Sequence, residues 1–367
     1  MNNDTGIKQT NELIKERLKD YIKSQYFGDN QLLLNASEKL LGNEGNLYQK
    51  PYIESTPSYK KQKDGIRTSN MDDSVKKLFL ELIENNLGVF EVPFEHQVKA
   101  LEDFVNGKNL FVATGTGSGK TECFMWPIIY KLCYEAIHRP DNWKQRGVRT
   151  ILIYPMNALV SDQISRLRSI IGDDEGKFVE IFSRYCDNSR RPQFGMYTGR
   201  TPYPGKAINK KTNIEIARSY KDSYLVDEEA DPETRMYKEK DIEGLKEIHK
   251  YPAKDIGEFV RSLATNTLEK YDSSKDAELM LRYEIQNHTP DILITNYSML
   301  EYMLIRKEEN NIWKDTSTWG IFSTSNRSWL TRALLHTRRR ALRLMDMYAT
   351  LQTRTLSRPS WRKFTKR

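Results

Sequence analysis

The sequence has few cysteines and no long apolar segment, and both absences narrow the class of protein. No run of 18 uncharged apolar residues occurs in the 367 residues, and the first residues, MNNDTGIKQTNEL, are polar. We therefore expect neither a membrane-spanning helix nor a signal peptide, no membrane partner, and a cytoplasmic location. Cys123, Cys133 and Cys186 lack metal-ligand spacing, and a reducing compartment fits their small number. We interpret them as small buried hydrophobic residues.

Acidic residues are nearly missing from the end of the chain. Residues 320–367 contain 12 Lys or Arg and one acid, Asp346, although the whole chain has 58 basic and 50 acidic residues. The net charge of +8 therefore comes from this segment, and the rest of the chain is slightly acidic. Bulk charge thus does not make the body of the protein a basic nucleic-acid binder, and the basic tail needs an explanation of its own.

Alternating strand and helix patterns begin near residue 90 and predict a parallel sheet covered by helices on both faces. Before them, residues 1–72 are predicted to form a helical N-terminal extension and a connector. Residues 73–313 are predicted to form the α/β domain, with a mostly helical insertion at 201–290. Strands are predicted at 110–113, Arg149–Pro155, Phe194–Gly199 and Asp291–Asn296. Helices are predicted at Asn35–Leu41, 73–87, Glu95–Asn106, 120–139, Asn157–Ile171, Glu243–His249, Ile256–Leu268 and Ser298–Lys307.

The segment FVATGTGSGKTE, residues 111–122, has the pattern of a phosphate-binding loop between a strand and a helix. Its glycines let backbone N–H groups converge on phosphate oxygens, and the helix N-terminus adds its dipole. Lys120 can reach the β- and γ-phosphates, and the Thr121 hydroxyl can hold Mg²⁺. The strict pattern has glycine where Thr114 stands, and a glycine-rich turn without a ligand is the alternative.

Three further segments suit contacts with a nucleotide or a nucleic acid. Gln97, in PFEHQVKAL, offers one acceptor and two donors that could pair with adenine, although an ordinary helix with a polar face is the alternative. YPMNALVSDQ and ITNYSMLE each join a strand end to a helix N-terminus, where phosphate groups bind. A core strand and helix without a partner, and an ordinary helix cap, are the respective alternatives.

The order of HQ, GSGKTE, YPMNAL, YTGRTP and TNYSMLE resembles the first half of a superfamily 2 DEAD/DEAH-box helicase. The resemblance is closest to large bacterial helicases of the YprA-like and Lhr-like type, including those of DNA repair and phage defence, and covers roughly residues 1–313. It implies an α/β RecA-like P-loop core, with only the first of two lobes. The residues that it implies for ATP and Mg²⁺ are Gln97, Gly115, Thr116, Gly117, Ser118, Gly119, Lys120 and Thr121, with Lys120 and Thr121 catalytic and Thr121 the Mg²⁺ ligand. Those implied for one nucleic-acid strand are Asn157, Gln163, Thr201, Thr295 and Asn296.

The family's carboxylate element, an Asp that orders Mg²⁺ and a Glu that positions water, is missing where it is expected. No Asp-Glu pair follows Asn296. The run 226–231, VDEEAD, looks similar but precedes TNYSMLE, and we interpret it as a solvated acidic loop. Residues 314–367 are expected to form a basic tail that is disordered or out of frame. Because charge and pattern both change near residue 315, we hypothesise a shift of reading frame at 315–320. A natural basic tail that binds nucleic acid is the alternative.

The sequence therefore predicts the ATP-binding lobe of an ATP-dependent helicase or translocase, interrupted before the DEAH element. The chain alone is expected to bind ATP·Mg²⁺ but to hydrolyse it poorly or not at all. The expected partner is single-stranded or duplex nucleic acid, with DNA favoured, and proteins of a repair or phage-defence system are possible partners. The alternatives are a non-hydrolysing nucleotide- and nucleic-acid-binding module and a different P-loop NTPase.

Overall fold

A computed structural model describes residues 6–28, 30–43, 45–47, 49, 58–115, 117–154, 157–173, 175–187, 189–203 and 210–313. Thr116 and the whole basic tail, residues 314–367, lie outside these described residues, as do 51–57, Pro155 and Met156. The chain divides into two compact units, Met1–Ser58 and Tyr59–Arg367. The domain boundaries drawn from the sequence, at 72 and 313, stay a prediction.

The first unit contains two helices, α1 (Ile7–Tyr26) and α2 (Gln31–Gly42). The side chain of Asn30 accepts hydrogen bonds from the backbone N–H groups of Leu32 and Leu33, so α2 begins four residues before the predicted start. An ion pair of 2.9 Å between Lys23 and Glu38 joins the two helices. Most apolar side chains of this pair remain exposed, so the unit has little core of its own.

The second unit contains the remaining helices and strands. Its helices are α3 (Gly65–Thr68), α4 (Asp73–Glu84), α5 (Glu95–Val105), α6 (Glu122–His138), α7 (Pro140–Lys144), α8 (Asn157–Arg168), α9 (Lys177–Tyr185), α10 (Lys210–Tyr224), α11 (Pro232–Glu247), α12 (Ile256–Ala264), α13 (Arg282–Asn287) and α14 (Tyr297–Ile305), with short 3₁₀ turns at Leu268–Lys270, Ser273–Lys275 and Lys307–Glu309. Its strands are β1 (Thr150–Tyr154), β2 (Phe194–Tyr197), β3 (Glu278–Leu279) and β4 (Ile292–Asn296).

The four strands form one parallel sheet in the order β1-β4-β2-β3. Alternate residues of each strand enter different cores, as the pleat of a strand requires. In β4, Ile292 and Ile294 pack with α4, α6, α8 and α9, whereas Leu293 packs with α14 and Trp313. Helices therefore cover both faces of the sheet, which confirms the predicted α/β architecture.

The predicted strand at 110–113 is wrong. Residues 108–115 are assigned neither strand nor helix, and the side chain of Phe111 is 94% exposed. An extended segment becomes a strand only when a neighbour pairs with its backbone N–H and C=O groups. None of the described residues pairs with 110–113 in this way, and β1, an outer strand of the sheet, pairs only with β4.

The predicted insertion at 201–290 is mostly helical, but its last part belongs to the sheet. Helices α10 and α12 build a separate small core around Phe259 and Leu263. The short strand β3 then pairs with β2, with Phe194 opposite Glu278, and was missed because two residues carry no readable periodicity. Buried Lys254 lies between Asp276 at 2.5 Å and Glu284 at 2.7 Å, which fastens the insertion to the segment around β3.

Candidate nucleotide and nucleic-acid site

The phosphate-binding loop runs from Thr114 to the start of α6. Gly117 and Gly119 have φ angles of +76° and +72°, in the left-handed region that other residues rarely adopt. A Cβ atom at Gly119 would come within 2.2 Å of the Nε2 atom of Gln97, whereas one at Gly117 would meet nothing within 4 Å. The loop therefore needs glycine at 117 for conformation and at 119 for conformation and space.

Thr114, which replaces the expected glycine, has a hydrogen-bonding role in this loop. The Ser118 hydroxyl donates to the Thr114 hydroxyl over 2.6 Å and approaches the carbonyl oxygen of Gly115 at 2.9 Å. The Lys120 ammonium group donates to the Thr114 carbonyl oxygen over 2.7 Å. The departure from the strict pattern is therefore accommodated, and the exposed Lys120 side chain folds back over its own loop.

Groups that can hold a triphosphate and Mg²⁺ are present at the start of α6. Lys120 is exposed, and half-buried Thr121 makes no capping hydrogen bond to the helix, so its hydroxyl is not committed there. The positive φ angles at Gly117 and Gly119 give the backbone the bends that a phosphate nest requires. These residues fit the phosphate-binding role, although their individual roles, and that of Thr116 outside the described residues, stay predictions.

Tyr59 contacts this loop from a distant part of the sequence. Its hydroxyl accepts a hydrogen bond of 2.8 Å from the backbone N–H of Gly115, and its ring lies 5.2 Å from His96 and 5.9 Å from Phe94. The His96 ring also bonds the Ser118 carbonyl oxygen over 2.8 Å. Sequence reasoning missed Tyr59 as a site residue, because no local pattern links it to the loop.

Gln97 is 1% exposed, and its amide group is used inside the protein. Its Oε1 atom accepts a hydrogen bond of 2.8 Å from the Phe94 N–H, and its Nε2 atom donates to the Gly119 carbonyl oxygen over 3.1 Å. The residue thus fixes the start of α5 against the start of α6. Contact with adenine would require these partners to change, and that role stays a prediction.

The side chains of Glu122 and Arg166 join α6, the helix that follows the glycine loop, to α8. Their side chains form an ion pair of 2.8 Å, and with Phe90 and Trp126 they line a cavity of about 230 Å³. Arg166 was not predicted as a site residue, because a lone arginine late in a helix gives no sequence signal.

Cys123, next to Glu122, is buried, and burial raises the pKa of its thiol to about 11, so it is not a nucleophile at neutral pH.

The carboxyl ends of three strands meet at one edge of the sheet. The register pairs Tyr154 with Asn296 and Tyr197 with Thr295, so the chain leaves all three strands at the same level. The Asn296 amide donates to the Asn157 side-chain oxygen over 2.6 Å, and its own oxygen caps α14 at Met299. Two residues predicted to grip a nucleic-acid strand are therefore joined, and both are half-buried.

The other three predicted nucleic-acid residues are buried. The Thr295 hydroxyl donates to the Tyr197 carbonyl oxygen over 2.7 Å, and the Thr201 hydroxyl donates to the Met196 carbonyl oxygen over the same distance. The Gln163 side-chain oxygen is buried without a hydrogen-bond partner among the described residues. These side chains shape the edge from within, and contact of any of them with nucleic acid stays a prediction.

The acidic run at 226–231 lies in an exposed loop before α11. Asp227, Glu228 and Glu229 are exposed, and the Asp231 side chain accepts hydrogen bonds from the backbone N–H groups of Glu233 and Thr234. The hydrogen bond from the Thr234 hydroxyl, followed by those from the backbone, lowers the pKa of the Asp231 carboxyl. Among the described residues no group of three or more His, Cys, Asp or Glu side chains could hold a metal ion, and no helix could cross a membrane.

Comparison with known proteins identifies the family of this lobe. A DEAD/DEAH box helicase family model matches residues 94–197. The chain is 36% identical over 340 residues to the Druantia protein DruE of Escherichia coli (strain UMEA 4076-1), covering 86% of this chain and 18% of that protein. It is 29% identical over 185 residues to the probable ATP-dependent RNA helicase DDX52 of Mus musculus, covering 49% of this chain and 28% of that protein.

A bacterial relative matches a shorter part of the chain. The uncharacterized ATP-dependent helicase YprA of Bacillus subtilis (strain 168) is 26% identical over 123 residues, covering 34% of this chain and 15% of that protein. The chain thus spans less than a third of the length of each of these relatives. Residues 94–197, which the family model matches, include the glycine loop, α5, α6, α8 and β2. The N-terminal part of the chain therefore carries a DEAD/DEAH box helicase domain, in agreement with its resemblance to superfamily 2 helicases.

Proposed function

We propose that this chain supplies the ATP-binding lobe of an ATP-dependent nucleic-acid helicase or translocase. One observation carries the proposal: the glycine loop at α6 is tied through the Glu122–Arg166 ion pair to α8, whose first residue, Asn157, bonds Asn296 at the carboxyl edge of the sheet. Helix α8 thus contacts both the proposed nucleotide site, through Arg166, and a polar edge suited to phosphates, through Asn157. Such a connection lets a change at one site shift the other.

In this proposal the lobe binds and orients the triphosphate. The backbone N–H groups around Gly117 and Gly119 hold phosphate oxygens, Lys120 neutralises their charge, and the Thr121 hydroxyl holds Mg²⁺. Gln97 selects adenine, and Asn157 and Asn296 hold one strand by its backbone, with Gln163, Thr201 and Thr295 supporting the edge. In the intact helicase, ATP·Mg²⁺ held by these residues would supply the free energy released when its γ-phosphate is hydrolysed.

We further propose that the chain as given turns over ATP slowly or not at all. No Asp-Glu pair follows Asn296 in the sequence, and the acidic run at 226–231 lies in an exposed loop. Among the described residues, segment 108–115 has no strand partner and β1 pairs on one side only. Both observations support the same idea, because a strand that carries the missing carboxylates would give the sheet a further neighbour. A shifted reading frame near 315–320 accounts for both observations.

DNA is the favoured substrate by the resemblance to repair and phage-defence helicases, although DDX52 is named as an RNA helicase. A non-hydrolysing module that binds nucleotide and nucleic acid is the second candidate, and the missing Asp-Glu pair favours it for this chain. Proteins of a repair or phage-defence system are the proposed partners. A strand-displacement assay on the product of the intact gene distinguishes the two functions, because a helicase separates the strands of a duplex and a non-hydrolysing module does not.

The nucleotide site can be tested by equilibrium binding of a fluorescent ATP analogue with Mg²⁺. Lys120→Ala should weaken binding by roughly 10-fold or more, because it removes a charge-assisted contact to the phosphates worth about 1.5–3 kcal/mol. Lys108→Ala is the matched control, since Lys108 is an exposed lysine of the same unit whose partner is Asp103 at 2.6 Å. Equal affinities of the wild type and Lys120→Ala would overturn the assignment.

A further inference from the structure

The first residue of α14, Tyr297, exposes 70% of its surface directly after the joined residue Asn296. Leaving a large aromatic ring in water forgoes the free energy of burying it. The same helix buries Met299, Leu300 and Met303 against the sheet, so its position is fixed by packing. Tyr297 is therefore an exposed ring held on a rigid element at the carboxyl edge.

The neighbouring groups at this edge are polar and basic. Arg200, three residues beyond the end of β2, is exposed, and the β2 residue Tyr197 lies opposite Thr295 in the sheet register. Asn157 follows β1 on the far side of β4, Asn296 ends β4, and their side chains are joined over 2.6 Å. A cation and amides that can follow a phosphate backbone, together with an aromatic face, are the combination that single strands bind. Bases in a duplex are already stacked and do not present a free face.

Another exposed tyrosine on the same helix differs from Tyr297 in a useful way. Tyr302 is 55% exposed, but the guanidinium of Arg306 lies 5.0 Å from the centre of its ring. It also lies more than a turn further along α14, away from the strand ends. Arg306 thus lies against the Tyr302 ring, whereas Tyr297 stands beside the polar edge.

We propose that Tyr297 is a stacking platform for one unpaired base of a nucleic-acid strand held at this edge. The inference rests on the proposed function, because it requires that the carboxyl edge hold nucleic acid. It adds a contact to the base itself, which the resemblance did not imply for any of the five residues assigned to the strand. The contact is independent of base identity, since every base has an aromatic face.

The test is binding of fluorescently labelled oligo(dT) to the full chain, measured by anisotropy at several salt concentrations. Tyr297→Ala should weaken binding about 5- to 100-fold without changing the salt dependence, because a stacking contact releases no counterions. Tyr297→Phe should stay within about 2-fold of wild type because it keeps the ring. Tyr302→Ala, the matched control, should bind like wild type.

An abasic oligonucleotide and a blunt duplex separate stacking from backbone contact. On both probes the wild type and Tyr297→Ala should bind with the same affinity. The platform is overturned if Tyr297→Ala binds oligo(dT) like wild type, or if its loss of affinity persists on the abasic strand. If the wild type binds none of the three probes, the nucleic-acid grip of the proposed function fails, and the platform fails with it.

Discussion

Two glycines of the phosphate-binding loop have the same left-handed backbone conformation but different surroundings. Gly117 has open space where a Cβ would be, whereas Gly119 faces the buried amide of Gln97. A non-glycine residue in this conformation costs about 1–2 kcal/mol from backbone strain alone. At Gly119, a side chain must also displace Gln97 from its bonds to Phe94 and to the loop.

Gly117→Ala and Gly119→Ala are therefore a matched pair. We expect Gly117→Ala to lower the free energy of unfolding by about 1–2 kcal/mol, and Gly119→Ala by about 1 kcal/mol more, because it also breaks buried hydrogen bonds. Urea unfolding followed by circular dichroism measures both. Equal losses would show that Gln97 moves aside freely and does not fix the loop to α5.

The three cysteines are buried, and burial raises the pKa of each thiol, to about 11 for Cys123 and about 12 for Cys186. Because the thiolate is the reactive form, raised pKa values keep these groups protonated and unreactive near neutral pH. Iodoacetamide at pH 8 should label none of the three in the native protein and all three in guanidinium chloride. Rapid labelling of native protein would contradict the burial of α6 and α9.

At the scale of elements, the amino ends of β1 and β4 are fastened by a buried charge cluster. Asp291 bonds Arg149 and Arg190, each over 2.8 Å, and both guanidiniums lie within 5 Å of the Trp143 ring centre, at 4.7 and 4.5 Å. Burial alone would raise the pKa of the Asp291 carboxyl, but Arg190 and Arg149 outweigh it and hold the pKa below its ordinary value. The cluster lies at the end of the sheet opposite the carboxyl ends of the strands.

Asp291→Asn should destabilise the protein by roughly 3 kcal/mol at pH 7, because it removes the carboxylate that pairs with buried Arg149 and half-buried Arg190, although Arg149 keeps its ion pair of 3.0 Å with Glu135. Since the folded-state pKa lies below the unfolded value, this contribution is present above about pH 4 and is lost as pH falls toward the folded-state value. The difference between wild type and variant should therefore shrink on acidification, as urea unfolding at several pH values would show. Glu180→Gln, in the exposed pair with Arg184, is the control and should change stability by less than about 1 kcal/mol.

Strands β1, β2 and β4 could be predicted because each contains a short apolar run, as buried strands do. Segment 110–113 has a similar composition but no pairing strand among the described residues, and a sequence pattern does not show whether a distant segment will supply one. Strand β3 is too short for any periodicity. The glycine loop was readable because its chemistry is local, whereas the contact of Tyr59 with Gly115 spans 56 residues and leaves no pattern.

For the molecule as a whole, the described lobe has the fold and loop of a helicase ATP site but not its carboxylate pair in the expected order. The chain spans 18% of DruE, so most of the length of that relative has no counterpart here. We therefore propose, as the central claim, that this lobe binds the nucleotide but does not turn it over, because no Asp-Glu pair follows Asn296 in the sequence.

The measurement that tests this claim most directly is ATP turnover with Mg²⁺, with and without single-stranded DNA, on wild type and Lys120→Ala beside their ATP affinities. We expect saturable binding that Lys120→Ala weakens, and no DNA-stimulated hydrolysis by either protein. DNA-stimulated turnover that Lys120→Ala abolishes would contradict the account. It would mean that a carboxylate pair orders Mg²⁺ and water, with Asp227 and Glu228 the first to substitute.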